Sequence, residues 1–331
     1  MKILITGFSG FVSRHFLRYL YDNSIDAEII GIDIAAPQFD YMELEDRISV
    51  DFFQVDLLDK NELEKIFRIF SPEYILHLAS YSSVAYSWKH PEKSFINNTN
   101  IFLNLVSVVK SMNIDARILS VGSSEEYGNV SESDLPLTEK QTLSPNSPYA
   151  VARVSQEQLS KVFADSFHMN IVLTRSFNHI GPYQDERFAV PSFIKRILDI
   201  SRTAREGVIE TGDISLVRDF VDVRDVVRAY YLLLTRGTPG QVYNICSGKG
   251  IPLQAVINIV AELQGVTIRT KVNPEYVRPM DNKVVIGSAL KLERELGWKP
   301  VIPIEKTLKD MCMIMAEMNR EYEQNIMRGN T

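Results

Sequence analysis

The sequence predicts an α/β protein, a doubly wound parallel sheet joined to a smaller mixed α/β domain. Three observations predict it. Short apolar runs alternate with amphipathic stretches through the first half, the runs are apolar at nearly every position, and the first of them ends in a glycine-containing turn that opens a helix. A strand buried on both faces reads as continuous Val, Ile and Leu, and a strand, helix, strand alternation places helices on both faces of a parallel sheet.

The apolar runs are Ile3–Thr6, Ile29–Ile32, Val50–Val55, Tyr74–Ala79, Arg117–Val121 and Ile171–Arg175. Between them lie helical patterns, such as Val12, Phe16, Tyr19 and Leu20, whose spacing returns to one helix face. After about residue 178 the rhythm loosens, with Pro182, Pro191, Pro239, Pro252, Pro274, Pro279, Pro300 and Pro303 interrupting it. That region reads as the smaller domain, with Gln241–Cys246 expected to return to the main sheet and about 304–326 to be helical before a frayed polar tail.

Composition excludes classes without naming a function. The chain has 331 residues, 36 Lys and Arg against 42 Asp and Glu, a net charge of −6, and 45% hydrophobic residues. These are globular averages, unlike those of disordered, collagen-like or coiled-coil chains. At roughly 100–200 residues per domain the length suits about two domains. An acidic balance argues against bulk nucleic-acid binding. Two cysteines, Cys246 and Cys312, make no disulfide framework, and no Cys and His set has zinc spacing, so no metal is expected. The N-terminal apolar stretch is too short for a signal peptide and no run suits a membrane span, which leads to the expectation of a cytoplasmic protein.

The first chemical signal is Gly7-Phe8-Ser9-Gly10-Phe11-Val12-Ser13. Glycines let the chain turn sharply and bring the backbone N–H groups of Ser9, Phe11 and Val12 toward a pyrophosphate at a helix N-terminus. Asp33 ends the second apolar run, 26 residues after Gly7, with Ile34 beside it. A carboxylate there accepts hydrogen bonds from a ribose 2′-hydroxyl and repels a 2′-phosphate, which favours NAD(H), with NADP(H) as second choice. Asp56-Leu57 and Leu78-Ala79-Ser80 follow the third and fourth runs, where loops at the carboxyl ends of parallel strands meet the adenine and ribose. Each feature alone also fits an ordinary strand end.

The second signal is Ser147-Pro148-Tyr149, a helix opening with a good cap and proline at the first helical position. Tyr149 and Arg153 are four apart and share a face, so the cation favours the phenolate form of the tyrosine. The fifth run leads into Val121-Gly122-Ser123-Ser124-Glu125-Glu126-Tyr127-Gly128. The hydroxyl of Ser123 suits a carbonyl oxygen that a tyrosine protonates, while Glu125 suits a base, a sugar-hydroxyl ligand or a capping carboxylate. His77 and His179 read as structural hydrogen-bonding residues.

Together these segments resemble the extended short-chain dehydrogenase/reductase family over nearly the whole chain. The closest likeness is to its GDP-4-keto-6-deoxy-mannose reductase and GDP-mannose 4,6-dehydratase branch. Arg175-Ser176-Phe177-Asn178-His179-Ile180-Gly181-Pro182, Val217-Arg218-Asp219-Phe220-Val221-Asp222-Val223-Arg224-Asp225, Val242-Tyr243-Asn244-Ile245-Cys246-Ser247-Gly248 and Gly297-Trp298-Lys299-Pro300 add to it. The resemblance implies a Rossmann-type dinucleotide-binding domain, residues 1–178 plus about 219–248. It implies a nucleotide-sugar domain of about 179–218 and 249–320.

The resemblance further implies that Ser123, Tyr149 and Arg153 are catalytic, that Tyr149, Arg153 and Phe177 also meet the cofactor, and that Glu125 takes part in catalysis or holds the sugar. A nucleotide diphosphate sugar would meet Ser124, Asn178, Arg218 and Arg278, with Lys195 a weaker candidate. The expected reaction is reduction of a C4 ketone by NAD(P)H; the alternatives are a 4,6-dehydratase, for which Glu125 would be the base, a 4-epimerase, or a weakly active cofactor-binding relative. Two departures from the pattern stand out: Ser13 replaces the third glycine, and Arg153 replaces the catalytic lysine. Homodimerisation through helices near 94–112 and 148–167 is also implied.

Overall fold

A computed structural model describes residues 1–277 and 281–329. In its first half, β1 (Lys2–Thr6), α1 (Phe11–Asp22), β2 (Ala27–Asp33), β3 (Ile48–Gln54), α2 (Lys60–Ile69) and β4 (Tyr74–His77) are followed by α3 (Val84–Lys89), α4 (Pro91–Ser111), β5 (Arg117–Ser123), α5 (Pro148–Phe167) and β6 (Ile171–Ser176). Beyond come β7 (Asn178–Ile180), α6 (Ala189–Thr203), β8 (Glu206–Thr211), β9 (Val217–Asp222), α7 (Val223–Arg236) and β10 (Val242–Ile245). The chain closes with β11 (Gly250–Pro252), α8 (Leu253–Gln264), β12 (Thr267–Val272), β13 (Val284–Val285), α9 (Leu290–Leu296) and α10 (Ile304–Gly329).

The main sheet has seven strands in the order β10-β6-β5-β4-β1-β2-β3, all parallel. The chain builds outward from β1 through β2 to β3, then returns to β4 on the other side. The order therefore reverses between β1 and β4, where loops at the carboxyl ends diverge and leave a crevice. Thr6 pairs with Ile32 on one side and His77 on the other, so the glycine turn emerges at that reversal.

Two apolar layers sandwich the sheet. On one side α1 and α7 bury Phe16, Leu17, Leu20, Val226, Tyr230 and Leu233 against Ile3, Ile5 and Leu119. On the other, α2, α4 and α5 bury Leu63, Phe67, Phe102, Leu105 and Phe163 against Leu4, Ile30 and Ile118. Each such side chain removed from water contributes about 1.5–3 kcal/mol. Helix starts are capped where the sequence supplies a cap: Asp59 Oδ1 accepts from Asn61 N and Glu62 N, Ser147 Oγ from Ala150 N, and Asp222 Oδ1 from Arg224 N.

The run Gln241–Cys246 returns to the main sheet as β10, beside β6. Two strands end two residues away from where the apolar pattern suggests. β4 stops at His77, because after the Leu78 N bond to Thr6 O at 3.1 Å the chain turns away through Ala79 and Ser80, and β5 continues to Ser123, whose partner is Ser176 on β6. The later part carries a four-stranded sheet of β7, β9, β11 and β13, a parallel pair β8 and β12, and a third core in which α6, α8 and α10 pack Ile194, Ile197, Val260 and Leu308. No helix among the described residues is long and apolar enough to cross a membrane.

Candidate active site

The crevice begins at Gly7, which adopts φ +71°. A Cβ there would lie 2.7 Å from Ala79 N and 2.9 Å from the Leu78 carbonyl carbon, so only glycine fits against the β4 loop. Gly10 N donates to Gly7 O at 3.1 Å and Ser13 Oγ donates to the same oxygen at 3.3 Å. Ser13 is thus buried and small enough for the helix to sit close, and its hydroxyl finds a partner. Helix α1 has no side-chain cap and no acidic residue in its first turn. Its N–H groups and the positive end of its dipole face the crevice, which suits a pyrophosphate.

Asp33 is tied to this loop. Its Oδ2 accepts from Ser9 N at 2.9 Å and its Oδ1 from Ile34 N at 2.7 Å, while Ile34 is exposed. Asp56 Oδ1 accepts from Leu58 N at 2.9 Å, closing a turn, and the Leu57 side chain is buried in the core, so any contact of Leu57 with a ligand runs through its backbone. Ala79 N donates to Thr6 Oγ1 at 3.3 Å, and the Ser80 hydroxyl is buried without a partner in the structure, an orphaned polar group beside the cradle. The Phe177 side chain is 1% exposed and packs on Tyr127.

At the end of β5 the chain makes a short helical turn, Ser124–Tyr127. Ser123 Oγ accepts from Glu125 N at 3.2 Å, and Glu126 Oε1 accepts from Ser123 N at 2.7 Å. Gly122 has no room for a side chain: a Cβ would stand 2.4 Å from both Glu126 Oε1 and Thr174 O. Ser123 is therefore held from two directions, with its hydroxyl hydrogen free to be donated.

The central feature lies one helix turn into α5. Arg153 Nε donates to Tyr149 Oη at 3.1 Å, and Nη1 donates to Val121 O at 3.1 Å and to Gln156 Oε1 at 2.7 Å. Both Tyr149 and Arg153 are only 5% exposed. None of the guanidinium's hydrogen-bond partners among these is a carboxylate. Its charge acts on what surrounds it: His77, whose Nδ1 pairs with Thr6 Oγ1 at 2.8 Å, is pushed down to about 3 by burial with the Arg153 charge adding to it.

Beneath lies a second buried arginine. Arg175 Nε donates to Glu157 Oε2 at 2.8 Å and Nη2 to Glu157 Oε1 at 2.9 Å, a bidentate pair. Burial alone would raise Glu157, but Arg175 outweighs it and brings Glu157 down to about 2. Glu126 moves the other way: burial, reinforced by the Glu157 charge, holds its carboxyl well above the usual range. Its Oε1 accepts from Ser123 N, and its Oε2 is buried without a hydrogen-bond partner, 3.9 Å from Arg175 Nε.

Two of the cations expected to meet a substrate, Lys195 and Arg218, have partners in the structure. Lys195 Nζ donates to Asp199 at 2.7 and 2.8 Å. Arg218 Nη1 donates to Val217 O and Asn282 O, and its Nη2 contacts Asp281. Asn178 is exposed on β7, Ser124 is buried and Glu125 is half-buried. Arg278 lies outside the described residues. His179 stacks on Phe11 of the glycine turn at 5.8 Å between ring centres, and burial lowers its pKa, which keeps it neutral and structural.

The chain is similar to known proteins over nearly its whole length. A family model described as GDP-mannose 4,6 dehydratase matches residues 4–311. The chain belongs to that family. GDP-6-deoxy-D-mannose reductase of Pseudomonas aeruginosa is 29% identical over 93% of this chain and 95% of its own. The structure of RMD from the same organism complexed with NADPH superposes with a TM-score of 0.79, covering 95% of this chain and 96% of that one. dTDP-glucose 4,6-dehydratase of Haemophilus influenzae is 28% identical over 93% of this chain and 96% of its own. UDP-glucose 4-epimerase of Thermotoga maritima with UDP-glucose gives a TM-score of 0.84 at 28% identity, covering 96% of this chain and 99% of that one.

Within this GDP-mannose 4,6 dehydratase family chain, the sequence reading missed Gln156, Glu157, Glu126, Ser120 and Ser160. A signal for two of them was present. Gln156 and Glu157 follow Arg153 by three and four residues, the spacing at which helical side chains meet.

Proposed function

We propose that the protein is a nucleotide-sugar oxidoreductase that reduces the C4 ketone of a GDP-linked 4-keto-6-deoxy-hexose with a nicotinamide cofactor. The observation that carries this reading is the hydrogen bond from buried Arg153 Nε to Tyr149 Oη at 3.1 Å. Because Oη accepts from Arg153, its own hydrogen is left to point at a substrate oxygen, and the adjacent cation stabilises the phenolate that remains after donation. The reductase relative, similar over nearly the whole chain, supports the choice of reaction.

The cradle fits a dinucleotide on its own geometry: the glycine that admits no Cβ, the uncapped start of α1 and the unpartnered Ser80 hydroxyl. Gly7, Ser9, Gly10, Phe11 and Val12 would hold the pyrophosphate, Asp33 and Ile34 the adenosine ribose, and Asp56, Leu57, Leu78, Ala79, Ser80 and the backbone of Phe177 the remainder. When bound, the cofactor supplies the hydride. Ser123 donates to the substrate carbonyl oxygen and polarises it, Tyr149 transfers its proton to that oxygen as the alcohol forms, and Arg153 offers Nη2 to the nicotinamide ribose.

NAD(H) is the preferred form in this reading, because the Asp33 carboxylate repels a 2′-phosphate. An NADPH preference tenfold or greater in kcat/KM would overturn that choice. Arg218, Arg278, Lys195, Asn178 and Ser124 are proposed for the nucleotide diphosphate sugar. The two lobes are residues 1–178 with about 219–248, and about 179–218 with 249–320; β9 marks the crossing, since it pairs in the smaller sheet while α7 directly after it covers the larger. A homodimer and a cytoplasmic location complete the reading. Exposed Phe95 and Leu103 on α4, with Val151, Val162 and Phe167 on α5, support the dimer, and free, buried Cys246 and Cys312 suit a reducing compartment.

Glu125 favours one second reading, a 4,6-dehydratase in which its carboxylate removes the C5 proton. One assay separates the two. Purified protein is mixed with a GDP-linked 4-keto-6-deoxy sugar or with GDP-mannose, and nicotinamide absorbance is followed. Stoichiometric oxidation with the keto sugar, lost by about 10²–10⁴-fold in Tyr149→Phe, is expected. Conversion of GDP-mannose to a 4-keto product without net cofactor change would overturn the reductase.

A further inference from the structure

Arg153 is a buried cation without a carboxylate among the hydrogen-bond partners described above, and such a group stays where it is needed only if neutral acceptors fix it. Gln156 is the acceptor with the shortest contact, 2.7 Å from Oε1 to Arg153 Nη1. Its own orientation is settled by its amide nitrogen. Nε2 donates to Ser120 Oγ at 3.0 Å and to Val121 O at 3.2 Å, so Oε1 must face the guanidinium. Ser160 Oγ locks the far side, donating to Gln156 O at 2.8 Å and sharing a second hydrogen bond with the Ser120 hydroxyl at 2.9 Å. Val121 O, accepting from both Arg153 and Gln156, closes the ring of contacts. Gln156 is 1% exposed and Ser160 and Ser120 are as deeply buried, so no solvent route supplies substitute partners.

We infer that Gln156 is a positioning residue, which seats the Arg153 guanidinium against Tyr149 and, being uncharged, leaves its positive field undiminished there. This rests on Tyr149 being the proton donor. A planar guanidinium meets both acceptors of this seat through Nη1 while directing a different nitrogen, Nε, at Oη; a single ammonium nitrogen cannot cover the same span. The seat and the arginine therefore belong together, and the seat explains why arginine stands where the wider family has lysine.

Other titratable groups around Tyr149 and Arg153 do not obscure a test. From β4, His77 titrates near 3, and from α7, Tyr230 is raised by burial. Glu157 lies near 2, and Arg175 on β6 keeps its charge. Glu126 is raised, and Glu126→Gln serves as the control that removes its titration.

The test reads Tyr149 directly. Protein labelled with 13C at tyrosine Cζ is titrated by NMR, the Tyr149 signal being assigned with Tyr149→Phe. Gln156→Leu is expected to raise the Tyr149 pKa by about one unit, because the cation is no longer held against Oη. The alkaline limb of kcat should move up with it, and kcat near neutrality should fall roughly tenfold with KM within about twofold. Gln156→Glu keeps the size and an acceptor but sets an anion against Arg153, and is expected to raise the tyrosine pKa further. It decides the matter should the leucine variant fail to fold. In an Arg153→Lys background, Gln156→Leu should cost nothing more.

An unmoved Tyr149 pKa in the folded variants, or a loss that is equal in the lysine background, overturns the inference. The NMR reading needs no substrate. If no nucleotide sugar is turned over, the reductase reading fails while the titration still decides the role of Gln156.

Discussion

Two arginines are buried on neighbouring elements of this site, and their surroundings are opposite. Arg175 is locked in a bidentate ion pair with Glu157, whose Oε1 also accepts from Lys161 Nζ at 2.7 Å. Arg153 meets a phenol, a backbone carbonyl and an amide. A cation cancelled by an anion a few ångströms away holds elements together but exerts little field beyond the pair. A cation held by neutral dipoles keeps its field, which is felt by His77 and Tyr230. The difference separates a structural charge from one available for chemistry, and it can be tested from both sides.

The largest effect is expected on the structural side. Glu157→Gln removes the bidentate anion of buried Arg175 and leaves only Glu126 Oε2, 3.9 Å away, and should destabilise the fold by up to about 3–5 kcal/mol in urea unfolding. Turnover per folded molecule should stay within severalfold of wild type. A variant that unfolds at the wild-type midpoint but has lost turnover would break the comparison, because Glu157 would then be acting on the chemistry.

Arg153 should show the reverse pattern. Arg153→Met is expected to lower kcat by about 10²-fold, since the phenolate loses its cation, while the unfolding midpoint moves less than for Glu157→Gln. Arg153→Lys should lower kcat by roughly tenfold, because one ammonium cannot reach both Tyr149 Oη and the Gln156 seat. A large rise in turnover with lysine would instead mark arginine as a degraded position and support the weakly active reading.

How much of this was legible in the sequence follows from the same contrast. The glycine turn, Asp33 and the Tyr149 and Arg153 pair are local signals, read from spacing along one strand end or one helix face. The continuous apolar runs likewise revealed the parallel sheet, because burial on both faces leaves no alternation to confuse with a surface strand. The partners were not legible. Gln156 and Glu157 look like ordinary surface residues of an amphipathic helix until α5 is laid on β5 and β6, and Glu126 is indistinguishable from Glu125 until the turn after Ser123 sends one inward. Arg218 reads as a free diphosphate ligand because Asp281 is distant in sequence. Strands as short as β11 and β13, among prolines, carry too few residues for a period.

The raised carboxyl of Glu126 below Ser123 gives a smaller effect, seen in the pH dependence of stability. Glu157 is held down to about 2 in the folded chain, against about 4.3 for an unfolded glutamate, so its contribution is present above pH 4.3 and lost as pH falls toward 2. Glu126 is raised, so its contribution is present at low pH and lost as pH rises through its folded value. Glu126→Gln keeps an acceptor for Ser123 N and removes the titrating proton. It should abolish the alkaline loss while leaving the acid loss in place, as read by urea unfolding at a series of pH values. An alkaline loss that persists in this variant would place the titrating group elsewhere.

The smallest effect is expected where the comparison extends to the substrate side. Arg218 is paired with Asp281, as Arg175 is with Glu157, but its side chain is 11% exposed and that of Asp281 22%, so water reaches the pair. A diphosphate can compete for such a guanidinium by exchanging one anion for another, which a fully buried pair does not permit. The pairing also keeps an otherwise unsatisfied cation ordered before substrate arrives. Asp281→Asn should weaken the internal competitor and lower KM for the nucleotide sugar about threefold, with kcat unchanged, an effect within the range for an exposed ion pair. Raised salt should shrink the difference between the two proteins, since screening weakens both the internal pair and its rival. A KM that rises in Asp281→Asn would instead make the aspartate the residue that orients Arg218 for the diphosphate, and the partly open pair would then resemble the Gln156 seat more than the Glu157 lock.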